Sequence, residues 1–329
     1  MHFAFDEDHR SFAESTRDLF ADRVTPDTIR EAWRAEPGQL DPAPWQAMVE
    51  IGLLAAHVPE TRGGLGLDEL ATVLVFEEAG YAGVPHPIVE TTLIAGPLLP
   101  HADGRMVTTD IGSNGAPWAA EADQFLVLEG SSVALVNAED VTVEPIPSID
   151  GARRLGVPSW SAESTTVLTR DPRELEELTL RGALGTAALQ LGLSRRVLDL
   201  AVDHVCEREQ FGVAIGSFQA VKHALADVAK LIHFARPAVH RAAYSLATRN
   251  RERGIHVAMA KSLSGEAAEL AARVSLQCHG AIGYTVEHDL QLYLKRIWAL
   301  TPSWGDPRSH RTLIADHLRV GEFATTEQG

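Results

Sequence analysis

Three groups of residues have the types and spacing that could do chemistry. The run Cys206-Glu207-Arg208-Glu209-Gln210-Phe211-Gly212 closes a long helical pattern, and Ser217-Phe218-Gln219-Ala220 opens the next. Arginine offers a bidentate grip on phosphate, and glycine permits a sharp exit from a helix. Taken singly, the run reads more readily as an ordinary helix end with a solvated charge cluster. The second group, Gln277-Cys278-His279-Gly280-Ala281-Ile282-Gly283-Tyr284, places glycines at another helix end, where a cofactor or a second backbone can approach closely. The third is a set of fourteen histidines. No H-E-x-x-H occurs, and the spacing of His204, His223, His233 and His240 does not gather ligands with carboxylates on one face, so no metal is expected. The clusters Gly63-Gly64-Leu65-Gly66 and Gly182 to Gly185 neither follow a convincing strand nor match G-x-G-x-x-G. A Rossmann site and a G-x-S-x-G nucleophile elbow are both disfavoured.

The elements that must position these groups fall into three zones. From Phe5 to about Leu99 the pattern is helical. Phe5, Phe12, Leu19 and Phe20 form one apolar stripe, a short helix covers 42–53, and Asp68 is a fitting N-cap for 69–79. Pro85, Pro87 and Pro97 bracket another short helix. From about His101 to Thr169 the period shortens: 124–128, 133–137, 141–144 and 165–169 are runs rich in Val, Leu and Thr that predict strands of a small sheet. Beyond Leu175 come helical patterns over 182–209, 218–250, 255–279 and 287–300, with a kink expected at Pro237. Long consecutive helices joined by short loops pack as an antiparallel bundle. The tail from Phe323 to Gly329 is polar and is expected to be disordered.

Composition narrows the partners. The 329 residues are 45% hydrophobic and 22% charged, with 29 Lys+Arg against 45 Asp+Glu and a net charge of −16. An acidic surplus argues against a nucleic-acid face or an anionic membrane surface. Two cysteines, both in helical patterns, offer no disulfide framework. The acidic opening MHFAFDEDHR lacks the layout of a signal peptide, and no apolar run approaches bilayer length, so a cytoplasmic globular protein is expected.

In this order and spacing, the segments resemble the acyl-CoA dehydrogenases. The resemblance rests on Arg208-Glu209-Gln210-Phe211-Gly212, Phe218-Gln219-Ala220-Val221-Lys222-His223, Gln277 to Tyr284, and Glu287-His288-Asp289-Leu290. It extends N-terminally to Pro59 through Leu67 with Glu77-Glu78-Ala79-Gly80, and centrally to Asp150-Gly151-Ala152-Arg153-Arg154-Leu155. It implies a mainly α fold with a small β domain: an N-terminal helical domain (1–100), a shortened middle β domain (101–170) and a C-terminal four-helix bundle (171–322), followed by the tail 323–329. It also implies FAD. Arg208, Gln210, Phe211, Phe218, Gln219, Gln277, Gly280 and Ala281 would serve the adenosine and pyrophosphate half of a flavin across a subunit interface. Ala281 replaces the second glycine of the usual pair.

Two departures bear on catalysis. The family's T-E-P-x-A-G-S-D stretch, which cradles the flavin ring and the thioester, is missing between His101 and Thr169, and Asn114-Gly115-Ala116-Pro117 is no substitute. The family's usual base position, counted back from Arg311 and Gly305, is occupied by Trp304. Another branch's base position falls on Arg249, leaving Glu252 and Asp306 as the nearby carboxylates. The family abstracts an α-proton with a carboxylate that must lie within hydrogen-bond reach. The expectation is therefore a short subunit of a heteromeric, FAD-dependent acyl-CoA dehydrogenase. A longer partner in an α2β2 assembly would supply the cradle and the base. The substrate would be an acyl-CoA, a steroid side-chain thioester being favoured, and an electron-transfer flavoprotein or similar acceptor would take the electrons. The competing readings are a self-sufficient homo-oligomer with a displaced base, and a non-dehydrogenase or structural subunit on the same fold.

Overall fold

The computed structural model describes residues 5–112 and 115–326, with side chains through 319. Helix α1 (Glu7–Arg23) begins at Asp6, whose carboxylate accepts the His9 amide, and α2 (Pro26–Arg34) begins at Thr25, which caps Thr28 in the same way. Then come α3 (Ala43–Glu50) and α4 (Glu69–Ala82); Asp68 caps α4 through the Ala71 amide, as its sequence position predicts. The segment bracketed by prolines is a wide-pitched helical turn over Val89–Ala95, buried along its whole length.

The middle of the chain is a small β unit. Strands β1 (Val107–Thr109), β2 (Gln124–Glu129), β3 (Ser132–Asn137), β4 (Val141–Pro145), β5 (Gly156–Trp160) and β6 (Thr166–Thr169) follow in sequence. One sheet has the order β1-β2-β3-β6, parallel only between β1 and β2, while β4 and β5 pair separately. Alternation sends Leu126, Val133 and Leu135 into the main core. Phe125, Val127, Ala134 and Val136 go to a second cluster that Val141, Val143 and Trp160 cover. The sheet is therefore buried on both faces. Asn114, part of the loop considered above, lies outside the described residues.

Helix α5 (Pro172–Glu207) leads through a hairpin of β7 (Glu209–Gln210) and β8 (Val213–Ala214) into α6 (Gln219–Ala247). The bundle then continues with α7 (Arg253–His279), α8 (Leu290–Leu300) and α9 (Pro307–Thr326). α6 runs unbroken through Pro237. α9 continues into the expected tail, whose last residues, 327–329, lie outside the described residues. Glycines set the distance between α4 and α5: a Cβ on Gly80 would lie 2.2 Å from the Leu189 carbonyl oxygen, and one on Gly192 would lie 1.9 Å from that of Glu77. The two backbones touch. Buried Glu77 then reaches His240 (2.6 Å) and Arg236 (3.2 Å) on α6, and Glu78 pairs with Arg17 and Arg195, each at 3.1 Å.

Candidate functional site

Antiparallel packing brings the end of α5, the start of α6, the end of α7 and the start of α8 to one end of the bundle. Arg208 caps α5 and is exposed; its amide donates to the His204 carbonyl at 2.9 Å. The two-residue hairpin loop is Phe211 (φ 55°) and Gly212 (φ 80°). Two successive positive φ angles match a primed turn, which glycine accepts freely and phenylalanine does at some strain. That conformation holds Phe211 outward, 93% exposed, with its ring 6.2 Å from that of Phe218 in an edge contact. Gln210, Gln219, Gln277 and Ala281 are also exposed. Gly280 (φ 60°) faces open space, with no atom within 4 Å of where a Cβ would sit. Ile282, Tyr284 and Val286 add exposed apolar surface. All eight residues expected at a flavin's adenosine half thus share this end, each open to a ligand or a second chain.

The same end gathers three imidazoles. His204 and His279 stack with centroids 4.3 Å apart, and His288 meets His279 edge-on at 4.7 Å. One ring nitrogen from each lies within 4.8 Å of the other two. Burial holds His279 at about 4, and burial with the neighbouring His288 lowers His204. Sequence spacing did not reveal this trio, because its members come from three separate segments.

The usual base position lies elsewhere. Trp304 is only 5% exposed and adopts φ 57°. Its amide donates to the Gly112 carbonyl at 2.7 Å, and its own carbonyl accepts from His310 Nε2 at 2.9 Å. Its indole fills the space above two glycines: a Cβ on either Gly112 or Gly182 would come within 2.2 Å of the ring. Beside this loop lies an open cleft of about 530 Å³ walled by Gly112, Ile149, Arg153, Trp298, Pro302 and Ser303, with no carboxylate among its described lining residues. Asp306 is occupied as the cap of α9, accepting the Ser309 amide (2.7 Å) and hydroxyl (2.6 Å), which hold its carboxyl below the usual range. Glu252 sits at the start of α7, paired with Arg251 (3.2 Å) and His317 (3.0 Å). Neither carboxylate lines the cleft.

Two ends of the chain are therefore separate. From Gly182, under Trp304, to Arg208 helix α5 rises roughly 39 Å at about 1.5 Å per residue. No single dinucleotide spans that distance. The residues expected at an adenosine half and the expected base position therefore lie far apart along α5. The exposed residues expected at the adenosine half fit such a group, whereas the expected base position is filled by the buried indole of Trp304.

Residues 6–104 match the acyl-CoA dehydrogenase N-terminal domain, and residues 176–319 match the acyl-CoA dehydrogenase C-terminal domain. The chain is 33% identical over 313 residues to acyl-CoA dehydrogenase IpdE2 of Mycolicibacterium smegmatis, covering 92% of this chain and 96% of the relative. It is 32% identical over 301 residues to IpdE2 of Mycobacterium tuberculosis, covering 88% and 91%. Among solved structures, the ChsE4-ChsE5 complex from Mycobacterium tuberculosis superposes with a TM-score of 0.81 over 97% of this chain and 99% of that one, at 23% identity. The Tcur3481-Tcur3483 steroid ACAD, G363A variant, gives 0.84 over 96% and 99%, also at 23%. With both family domains matched in order and a relative one-third identical along almost its whole length, the chain belongs to the acyl-CoA dehydrogenase family of FAD-dependent oxidoreductases.

Proposed function

We propose that this chain is the short subunit of a heteromeric acyl-CoA dehydrogenase. It lends the adenosine and pyrophosphate half of the FAD site to a longer partner that carries the flavin cradle and the catalytic carboxylate. The observation behind this reading is Trp304. At the position where the family's base is expected, a buried indole closes the space over Gly112 and Gly182, and the adjoining cleft has no carboxylate among its described lining residues.

The residues then take simple roles. Arg208 supplies a charged donor to the pyrophosphate, and Gln219 and Gln277 supply neutral ones. Phe211 and Phe218 offer apolar faces to the adenosine, and Gly280 leaves room for the other chain to approach. Bound flavin supplies the hydride acceptor for α,β-dehydrogenation of an acyl-CoA, and an electron-transfer flavoprotein or similar carrier reoxidises it. Two such pairs form an α2β2 assembly in the cytoplasm. The heteromeric solved structures with this fold support that arrangement, and the name of one, a steroid ACAD, supports a steroid side-chain thioester as substrate.

The test is co-purification. The chain alone is expected to be colourless and inactive. Co-expressed with a longer relative bearing T-E-P-x-A-G-S-D and a base, it gives a yellow complex that an acyl-CoA bleaches. Arg208→Ala in that complex weakens FAD retention by about 1.5–3 kcal/mol, the usual worth of a charge-assisted hydrogen bond. A yellow preparation of the chain alone that bleaches with an acyl-CoA would overturn the subunit reading.

A further inference from the structure

We propose that His204, His279 and His288 form a binding site for one divalent transition-metal ion, zinc being the natural occupant. The three residues come from the last turn of α5, the last residue of α7 and the loop before α8. One ring nitrogen of each already lies within 4.8 Å of the others. Zinc–nitrogen bonds of about 2.0–2.1 Å in a tetrahedron place ligand nitrogens roughly 3.3 Å apart. His279 is held in place, so His204, now stacked on it at 19°, would turn out of the stack to aim its in-plane lone pair at the same point, and His288, already edge-on, would shift to close the gap.

His279 is prepared for the role. It is 6% exposed, and its Nδ1–H donates to the Ser275 carbonyl at 2.7 Å. That bond fixes the tautomer, so Nε2 carries the lone pair, and this buried atom has no hydrogen-bond partner. A backbone carbonyl behind a ligating imidazole is the usual support of a metal-bound histidine. His288 has another partner at present, its Nδ1 accepting the Leu290 amide at 3.1 Å. It would exchange that bond for the metal. Around the trio, Glu207 favours a cation and Arg208 opposes one, both acting on His204. With three protein ligands the fourth position is left to water. Neutral imidazole ligands select zinc, nickel or copper over magnesium or calcium. The ion would pin three helix ends together immediately beside Gln277–Gly280.

The experiment uses tag-free full-length chain, stripped with chelator and titrated with cobalt(II), then with zinc(II). The proposal expects one cobalt per chain, the visible ligand-field absorption of tetrahedral cobalt, displacement by zinc, and a raised melting temperature with metal. Variants H204Q and H288Q, whose rings are only half buried, should fold and bind at least 10-fold more weakly; H279Q, in a buried site, is read only if its circular dichroism is native. Absence of the cobalt spectrum at stoichiometric loading, or equal affinity in H204Q and H288Q, would overturn the site. Neither readout involves flavin or turnover, so the proposal stands or falls apart from the subunit reading.

Discussion

His57, His86 and His279 are buried, and desolvation holds each at about 4, against 6.5 for the free side chain. The unfolded chain takes up these three protons as pH falls below about 6.5, while the folded chain resists until about 4. Stability from these groups is fully present above 6.5 and is lost as pH falls through that window. Glu90 and Asp110, raised by burial, act in the opposite sense, but fewer in number. Urea midpoints measured at pH 7, 6 and 5 should therefore fall steadily. His86 is the informative member. It stacks on Trp45 at 5.7 Å, and the Asp41 backbone, a polar neighbour, opposes the lowering. His86→Leu should shallow the pH slope between about 4 and 6.5 by up to one proton, about 1.4 kcal/mol per pH unit. At this scale the sequence was only partly legible. The exposed residues at the end of the bundle stand out as motifs. The state of a buried histidine, and the indole of Trp304 wedged against two glycines, depend on neighbours distant in sequence.

Helix α4 lies against α5 because Gly80 and Gly192 remove the side chains that would hold them apart. Alanine at either site gains about 0.8–1.0 kcal/mol in helix propensity. It also drives a methyl group into a carbonyl oxygen at 2.2 or 1.9 Å, and neither backbone can yield without moving a buried helix. Overpacking of this kind costs about 1–3 kcal/mol or more. Gly80→Ala and Gly192→Ala should each be net destabilising in chemical denaturation, opposite to the propensity expectation. Long amphipathic helices were the most legible elements, because period 3.6 persists over many turns. α5 nevertheless starts ten residues before its predicted onset, since 172–181 is a charged stretch with only Leu178 fully buried. β1 is three residues long, and β5 carries Pro158, so neither shows a strand pattern. α2 and α9 were missed for want of an apolar stripe long enough to register.

Across the whole molecule, Asp150 to Leu155 ties the β unit to both helical parts. Buried Asp150 pairs with Arg296 of α8, whose Nη1 also donates to the Val84 carbonyl at 2.8 Å. Arg153 donates to the Ala299 carbonyl at 2.8 Å. Arg154 turns the other way, pairing with Glu121 and donating to the Ala32 carbonyl at 2.7 Å. A family signature read as a motif is, in this fold, a clamp across three regions. Asp150→Ala would leave the Arg296 guanidinium buried without its counter-charge, a loss of about 3–5 kcal/mol. Differential scanning calorimetry should show a lower transition for D150A, with the β unit gaining hydrogen exchange before the bundle.

The glycine seam between α4 and α5 also bears on how the chain emerges from the ribosome. The N-terminal helices cannot complete their core alone, because the surface that α4 buries is contributed by residues near 190 and, through Glu77, by His240. At about 5–20 residues per second, α4 must wait roughly 5–20 s after synthesis before its α5 partner exists. During that interval α4, which carries Val73, Val75 and Phe76, all buried in the finished protein, has α1 beside it but lacks its α5 cover. Chaperone engagement during translation should therefore peak after α4 emerges and decline once α5 has cleared the exit tunnel.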